Sequence, residues 1–376
     1  MNFKNIFKIF LVKKKKPRIA VIVGTRPNFI KMAPFIREAK NHPRFDFTII
    51  HTKQHFDDNM SGVFFEELGI PNPDISFTPG GERHTEKIAL MFDKMKDVFK
   101  QNKFDAIVVF GDVNSTLAGA LAAVKHNCRL VHIEAGLRSH DRRMPEEINR
   151  VIVDHLSHLH FVTEQSGVDN LKREGVKDKK IHLVGNIMIE SIEIFRDKIE
   201  ASTVLQGLKL KPKGYILATI HRQENTDSPE AIKNIFNILA DLAQAYSVII
   251  PLHPGTKNKI QEYGLEKLLD NLIVVGPMGY FDFLKLAKES LGVVTDSGGI
   301  QEETSHLGVP CCTLRDNTER PITCELGSNK LFSINQTTSS ELINHLEKRD
   351  FKSKNIPLWD DQVSHRIFEV LESWDI

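Results

Sequence analysis

The stretch Arg18-Ile-Ala-Val-Ile-Val-Gly24 is a short, β-branched apolar run that closes on a glycine and is followed by Thr25-Arg26-Pro27. A run of this length, bounded by turn residues, is typical of a buried strand. Residues 28–40 then show helical spacing of their apolar side chains. The sequence therefore predicts a strand, a tight turn and a helix, which is the opening unit of a doubly wound α/β sheet.

The same unit recurs along the chain and restarts after Gly185. Continuous apolar strands of this kind belong to parallel sheets that are covered by helices on both faces. We therefore predict two doubly wound, Rossmann-like domains, with the active site in the cleft between them. Besides the first strand, the predicted strands are 47–51, 106–110, 130–133, 181–184, 215–219, 248–252, 272–275 and 291–295.

The length of 376 residues, of which 41% are hydrophobic, is more than one compact core usually holds. We expect an N-terminal domain at 17–186 and a nucleotide-binding C-terminal domain at 187–360. Residues 1–16 combine apolar residues with the basic block 13–16. We interpret them as a solvated N-terminal extension, with a helix resting on a membrane surface as the alternative.

The overall composition excludes several classes of protein. Fifty basic residues against 49 acidic ones leave no surplus of positive charge for binding nucleic acid. The four cysteines form no Cys-x-x-Cys pair, which favours a reducing, cytoplasmic location over a zinc site or a disulfide scaffold. No apolar run approaches the roughly 20 residues that a membrane-spanning helix needs.

Two predicted turns are suited to binding a phosphate group. After strand 291–295 the chain reads Asp296-Ser-Gly-Gly-Ile-Gln-Glu-Glu303, which places glycines and free N–H groups at the start of a helix. Arg26, directly before Pro27, offers a bidentate donor on the opposite domain. Each turn alone could be an ordinary strand-to-helix connection. The absence of a Walker loop and of Gly-x-Gly-x-x-Gly disfavours ATP hydrolysis and a nicotinamide cofactor.

Three carboxylates follow predicted strands or open a helix: Asp112, Glu134 and Glu146. A single acidic residue in such a place is usually a helix cap, but three in one domain point to acid and base catalysis. His221 and His253 follow strands of the second half and can bind phosphate or carry a proton. No metal-binding spacing of histidines is present, so we predict no metal.

As a set, these motifs resemble those of the non-hydrolysing UDP-N-acetylglucosamine 2-epimerases, from about residue 18 nearly to the C-terminus. The motifs are Gly24-Thr-Arg-Pro27, Gly111-Asp112, His132-Ile-Glu-Ala-Gly-Leu-Arg138, Pro145-Glu-Glu-Ile-Asn-Arg150, His221-Arg222, Thr295-Asp-Ser-Gly-Gly-Ile-Gln-Glu-Glu303 and Thr318-Glu-Arg-Pro321.

The resemblance implies a fold of the glycosyltransferase-B type, with a last helix in 361–376 that packs back on the first domain. It also implies reversible conversion of UDP-N-acetylglucosamine to UDP-N-acetylmannosamine by a homodimer, without a cofactor or metal. The catalytic residues that it implies are Asp112, Glu134, Glu146 and His221. The residues that we assign to binding of the UDP-sugar are Arg26, Lys31, Arg138, Arg222, His253, Ser297, Gly298, Gly299, Glu303 and Arg315.

Several readings stay open. Many family members have Glu where this chain has Asn28, and members with the variant include epimerases of other UDP-2-acetamido sugars, such as diacetamido uronic acids. A glycosyltransferase of the same fold and a hydrolysing epimerase are further alternatives. A catalytically inactive sensor is disfavoured, because all four implied catalytic residues are present.

Overall fold

The computed structural model describes residues 15–54, 64–81, 84–348 and 356–375. Most of the predicted N-terminal extension, residues 1–14, lies outside these ranges. Among the described residues, no helix is both long enough and apolar enough to cross a membrane.

The first sheet contains, within the described residues, seven parallel strands in the order β3-β2-β1-β4-β5-β6-β7. The strands are β1 Arg18–Val23, β2 Asp46–His51, β3 Ile75–Ser76, β4 Ala106–Phe110, β5 Arg129–Ala135, β6 Leu159–Val162 and β7 Ile181–Leu183. The helices between them are Arg26–Ala39, His84–Gln101, Asn114–Lys125, Pro145–Leu156 and Gln165–Arg173, with a 3-10 turn at Asp178–Lys180.

The second sheet contains, in the same described ranges, six parallel strands in the order β10-β9-β8-β11-β12-β13. The strands are β8 Tyr215–Thr219, β9 Ser247–Pro251, β10 Ile273–Val275, β11 Gly292–Thr295, β12 Cys311–Thr313 and β13 Asn329–Leu331. The helices of this part are Gln223–Thr226, Pro229–Leu242, Pro254–Glu262, Tyr280–Glu289, Gly298–Leu307, Ile322–Glu325 and Ser339–Leu346, with a 3-10 turn at Glu266–Leu269. The predicted architecture of two parallel α/β sheets is confirmed.

The two strands at the centre of the first sheet explain where its ligand cleft lies. β1 pairs with β2 on one side and with β4 on the other, so the strand order reverses between β1 and β4. Both strands are lined by side chains that are buried on either face. In sheets of this type the crevice opens beyond the carboxyl ends of the strands at the reversal. The segments after Val23 and Phe110 therefore face that crevice.

The segment between the two sheets is helical. It contains the helices Ile187–Ile194, Arg196–Glu200 and Val204–Gly207. Ile187, Ile189 and Ile192 are buried in the same apolar cluster as Val21 and Phe35 of the first sheet. The exact domain boundary stays a prediction.

The helix Val363–Ser373 packs on the first sheet's helical layer, although it follows the second sheet in the chain. Phe368 lies 4.9 Å from Phe35 between ring centroids and stacks on His42 at 4.4 Å. The buried carboxylate of Glu190 accepts hydrogen bonds from the backbone N–H of Ser364, at 2.6 Å, and from its hydroxyl. Glu190 thus satisfies a free donor in the first turn of this helix.

The contact of Glu190 makes stability depend on pH. Burial raises the pKa of Glu190 from 4.5 to about 7. Between these values the folded chain keeps a proton that the unfolded chain has lost, so its contribution to stability is lost as pH rises. Between pH 5 and pH 7.5 we expect the free energy of unfolding to fall by about 1–3 kcal/mol more in the wild type than in Glu190→Gln.

Urea unfolding at the two pH values measures this difference. Glu369→Gln, on the exposed face of the same helix, is the matched control and should follow the wild type. Parallel pH dependence in Glu190→Gln and the wild type would show that Glu190 is ionised in the folded protein.

Candidate active site

The site forms where the carboxyl ends of the first sheet meet those of the second. Several contacts join the two sides, among them the following three. Arg320 pairs with Glu134, Arg26 donates to the carbonyl of Met278 at 3.1 Å, and Arg315 reaches the sulfur of Met144 at 3.7 Å. The residues predicted from strand ends on each half therefore face one shared cleft.

Glu134 lies at the centre of the site, on an irregular part of β5. The register of β5 against β6 shifts between Ile133 and Ala135, and Glu134 has a φ of +72°. A side chain in this left-handed region is held there by its surroundings. Lys31 of the first domain pairs with Oε2 of Glu134, and Arg320 of the second donates to Oε1 at 3.0 Å. The carboxylate is thus gripped by one cation from each domain.

Asp112, the second predicted carboxylate, is held by Arg150. The guanidinium donates to Oδ2 of Asp112 at 2.5 and 3.1 Å. Burial alone would raise the pKa of Asp112, but the charge and hydrogen bonds of Arg150 outweigh it and hold the pKa below its usual value. Arg150 is held in turn by Glu147 at 2.5 Å. Asp112 is accordingly a carboxylate at neutral pH.

Glu146 and Glu147 are neighbours with different surroundings. Both lie in the first turn of the helix Pro145–Leu156. Glu147 is buried and accepts from the backbone N–H groups of Ser139 and His140, each at 2.9 Å. Glu146 is half-buried and is close enough to His221 for its charge to act on that ring. Of these two neighbours, Glu146 is therefore the one whose charge acts on a residue of the second domain.

His221 of the second domain is oriented by Asp296. Nδ1 of His221 lies 3.1 Å from the carboxylate of Asp296, which is fully buried. Asp296 also accepts from the backbone N–H of Arg222, at 2.9 Å, and from Asn225, at 3.0 Å. Burial opposes protonation of the imidazole, but Asp296 prevails and the pKa of His221 is raised. A ring that is still 43% exposed and readily protonated is suited to meet a phosphate group.

The neighbouring predicted residues lie around this pair. The His253 ring is 6.2 Å from that of His221, and its Nδ1 caps the helix Pro254–Glu262 by accepting from Gly255. Arg222 donates from Nε to the carbonyl of Asp296 at 3.0 Å. The structure therefore brings His221, Arg222 and His253 together at one edge of the second sheet.

The two glycines of the turn after β11 have different environments. A Cβ on Gly298 would lie 2.5 Å from both Arg320 Nη1 and Glu319 Oε1, so that space is already filled by the chain itself. A Cβ on Gly299 would meet nothing within 4 Å. Ser297 and Gly299 are partly exposed at the start of the helix Gly298–Leu307, where N–H groups favour anions.

Glu303 and Arg26 meet at Tyr280. Burial raises the pKa of the Glu303 carboxyl to about 7, and the nearby Tyr280 hydroxyl and Arg26 oppose this rise. The guanidinium of Arg26 lies 4.8 Å from the Phe64 ring centroid and 5.8 Å from that of Tyr280. Stacked between rings and bonded to Met278, Arg26 is a fixed cation at the domain junction.

Two predicted binding residues are occupied by ion pairs. Arg138 is buried against Glu174, at 2.7 and 2.8 Å, and Asp154, at 2.7 Å, so the structure does not bring it together with the other predicted residues. Arg315 pairs with Glu319 at 2.9 Å, while its Nε and Nη1 have no hydrogen-bond partner among the described residues. Of these two arginines, Arg315 is therefore the one with N–H groups available to a ligand.

Sequence reasoning missed four residues that organise the site: Arg320, Glu319, Glu302 and Asp296. Arg320 is buried and bonds to Glu134, Glu302 and Glu319. The signals were present, since Asp296 follows β11 directly and the pair Glu319-Arg320 lies in a motif that we quoted without assigning it a role. In the described ranges, no three or more His, Cys, Asp or Glu residues are placed to hold a metal ion.

A sequence profile of one protein family, described as UDP-N-acetylglucosamine 2-epimerase, matches residues 37–372. The chain belongs to the UDP-N-acetylglucosamine 2-epimerase family. This membership identifies it as an isomerase, as predicted. A UDP-N-acetylglucosamine 2-epimerase of Methanocaldococcus jannaschii is 39% identical over 376 residues, covering 94% of this chain and 98% of the relative.

Two further comparisons bear on the fold and on the substrate of this epimerase family member. The crystal structure of the Methanocaldococcus jannaschii UDP-GlcNAc 2-epimerase in complex with UDP-GlcNAc and UDP superposes with a TM-score of 0.89. It is 37% identical, and the match covers 95% of this chain and 100% of that one. A UDP-2,3-diacetamido-2,3-dideoxy-D-glucuronate 2-epimerase of Pseudomonas aeruginosa is 41% identical over 319 residues, covering 84% of this chain and 88% of the relative. The predicted family and the predicted glycosyltransferase-B-like fold are confirmed.

The contrast between the glycines of this epimerase-family site predicts different effects of an added methyl group on stability. Gly298→Ala must displace Arg320 or Glu319 and should lower the free energy of unfolding by about 1–3 kcal/mol. Gly299→Ala enters open space and should stay within about 0.5 kcal/mol of the wild type. Chemical unfolding without nucleotide measures both, and equal losses would contradict the geometry.

Proposed function

We propose that the protein reversibly epimerises carbon 2 of a UDP-2-acetamido sugar, with UDP-N-acetylglucosamine and UDP-N-acetylmannosamine as the favoured pair. The observation that carries the proposal is the arrangement of Asp112 and Glu134 on one wall of the cleft, facing His221 and the Gly299 turn on the other. Membership of the epimerase family supports it.

Carbon 2 of an N-acetylhexosamine has no adjacent carbonyl group, so its proton cannot be removed directly at a useful rate. Breaking the bond between carbon 1 and the UDP oxygen first leaves an oxocarbenium-like carbon 1, which acidifies the proton on carbon 2. A carboxylate then removes this proton and gives a 2-acetamidoglucal with UDP still bound. Protonation of carbon 2 from the opposite face and return of UDP to carbon 1 complete the inversion.

The cleft supplies the groups that this route requires. We propose that the diphosphate is received by His221, the N–H groups of Ser297 and Gly299, and the cation of Arg26. We assign proton removal and return to Asp112, Glu134 and Glu146, which lie on the first domain. The ion pair with Arg150 keeps Asp112 ionised, as a general base requires.

Two relatives of this chain are epimerases of different UDP-sugars. The Methanocaldococcus jannaschii protein is a UDP-N-acetylglucosamine 2-epimerase, whereas the Pseudomonas aeruginosa protein acts on UDP-2,3-diacetamido-2,3-dideoxy-D-glucuronate. Both are about equally similar to this chain. An epimerase of a diacetamido uronic acid is therefore the second candidate, and a panel of UDP-sugars is the appropriate substrate set.

We also propose a homodimer in the cytoplasm. The helix Pro145–Leu156 exposes Ile148 at 40% and Ile152 at 37%, and these residues lie four apart on one face. A second copy of the chain is the proposed cover of that face. All four cysteines are free thiols, as expected in a reducing compartment.

Proton NMR of a panel of UDP-2-acetamido sugars incubated with the protein in deuterated water tests the reaction. We expect the epimer to carry deuterium at carbon 2, because the proton that returns comes from an acid that exchanges with solvent. Turnover without any acceptor distinguishes an epimerase from a glycosyltransferase. Release of free sugar and UDP would identify a hydrolysing enzyme instead.

The same assay tests the carboxylates. Asp112→Asn, Glu134→Gln and Glu146→Gln should each lower turnover by roughly a hundredfold or more. Glu369→Gln, exposed on the helix Val363–Ser373, is the control for an amide substitution that touches no ligand. Near-normal rates in all three variants would leave these residues with structural roles only.

The substitution Arg26→Lys tests whether the diphosphate of the nucleotide binds beside Arg26. Lysine keeps the charge but loses the planar fork that stacks on Phe64 and bonds to Met278. We expect UDP to bind more weakly by about 1–3 kcal/mol in calorimetric titration. Arg173→Lys, an exposed substitution on the helix Gln165–Arg173, should not change the affinity. Unchanged affinity in Arg26→Lys would place the diphosphate elsewhere.

A further inference from the structure

We propose that Arg320 is a positioning residue that couples closure of the two domains to the charge and orientation of Glu134. The inference rests on the proposed function, in which Glu134 exchanges the proton of carbon 2. Arg320 acts on that carboxylate and need not touch the sugar.

The side chain of Arg320 is occupied on three sides. Nη2 donates to Oε1 of Glu134 at 3.0 Å, Nε lies 2.8 Å from Oε1 of Glu302, and Nη1 bonds to Glu319. The guanidinium is buried, and the Cβ-free surface of Gly298 packs against it. A fork fixed in this way has a single orientation, so it can fix the orientation of the carboxylate that it meets.

Two of the three partners belong to the domain of Arg320, and Glu134 does not. Glu302 lies on the helix Gly298–Leu307, and Glu319 directly precedes Arg320 in the chain. Arg320 and the neighbouring arginines outweigh burial and hold the pKa of Glu319 below its usual value, so an ionised carboxylate of its own domain already accompanies Arg320. The bond to Glu134 is an additional contact. It joins the second domain to the proposed proton-exchanging carboxylate of the first.

Lys31 and Arg320 differ in whether their contact with Glu134 depends on domain closure. It comes from the same domain as Glu134 and pairs with the other carboxylate oxygen, so this cation stays with Glu134 when the domains separate. The cation of Arg320 arrives only when they meet. A carboxylate that gains a second cation is held more firmly in its ionised form. Closure around a bound UDP-sugar thus completes the base at the moment when the substrate is shielded from water.

Other charged groups near Glu134 and Arg320 remain in place in the test. Lys31 on the helix Arg26–Ala39 pairs with Glu134, and Glu302 is close enough for the two carboxyl groups to interact. Asp112 after β4 and Glu319 act on Arg320. Among the described residues, none of these groups forms a hydrogen bond to Glu134 from the opposite domain. Replacement of Arg320 therefore removes the second cation from Glu134 and leaves Lys31 in place; Glu302 and Glu319 lose the same cation.

The experiment compares the wild type, Arg320→Gln, Arg320→Lys, Glu134→Gln and the double variant Glu134→Gln/Arg320→Gln. In Arg320→Gln we expect kcat to fall roughly ten- to a hundredfold, the range for a lost hydrogen bond between charged groups. Affinity for UDP should change less than about threefold, because the nucleotide is received elsewhere. The acidic limb of the kcat/KM profile should move to higher pH by about one unit.

Two further readouts separate this role from a structural one. If Arg320 acts through Glu134, the double variant should be no slower than Glu134→Gln alone. Arg320→Lys, which keeps the charge and loses the fork, should recover the acidic limb more than it recovers kcat. It also replaces Arg320→Gln as the deciding variant if the latter does not fold. Arg173→Gln, an exposed substitution, should match the wild type throughout.

Different results would contradict this inference and the proposed function. Losses that multiply in the double variant, or an acidic limb that does not move, would overturn the role of Arg320 while epimerisation by the wild type persists. A parallel loss of UDP affinity would make Arg320 a binding residue. A wild type that epimerises no sugar of the panel would overturn the proposed function itself.

Discussion

A carboxylate enclosed by protein keeps its charge only where cations accompany it, and the cleft is arranged around that requirement at Glu134. The cation of Lys31 comes from the helix after β1, and that of Arg320 comes from the opposite domain. The same requirement holds Asp112 through Arg150. Because cations from both domains meet at Glu134, the charge balance of the cleft depends on how the two domains are placed.

The long apolar strands could be predicted from the sequence because their burial leaves a continuous signal. The expected strands 106–110 and 215–219 coincide with Ala106–Phe110 and Tyr215–Thr219. The strands Leu159–Val162, Cys311–Thr313 and Asn329–Leu331 were missed, since they are short and carry histidine, cysteine, threonine or asparagine. Their extended form follows from neighbours in the sheet, which a local pattern does not reveal.

Part of the candidate site could also be predicted from the sequence. Asp112 and His221 follow apolar strands closely and Glu134 lies near the end of β5, and the topology of a parallel sheet brings such positions to one edge. The partners that orient them could not be found in this way. Arg320 is 186 residues from Glu134 in the chain, and their contact depends on how two domains meet. Arg138 shows the converse, because a motif marked it while the fold pairs it with Asp154 and Glu174.

The helix Val363–Ser373 has a consequence for how the chain reaches its native state. Phe368 and Leu371 complete the apolar cluster of the first sheet, yet they follow the entire second sheet in synthesis order. On the ribosome, the earlier half emerges with part of its hydrophobic surface uncovered, and the missing piece is translated last. The second half can gather its own core, lined by Ile216, Ile235 and Val248, before the first is closed. The domain that is synthesised first therefore completes its hydrophobic core last. Its uncovered apolar surface is the part of the nascent protein that a chaperone would have to shield.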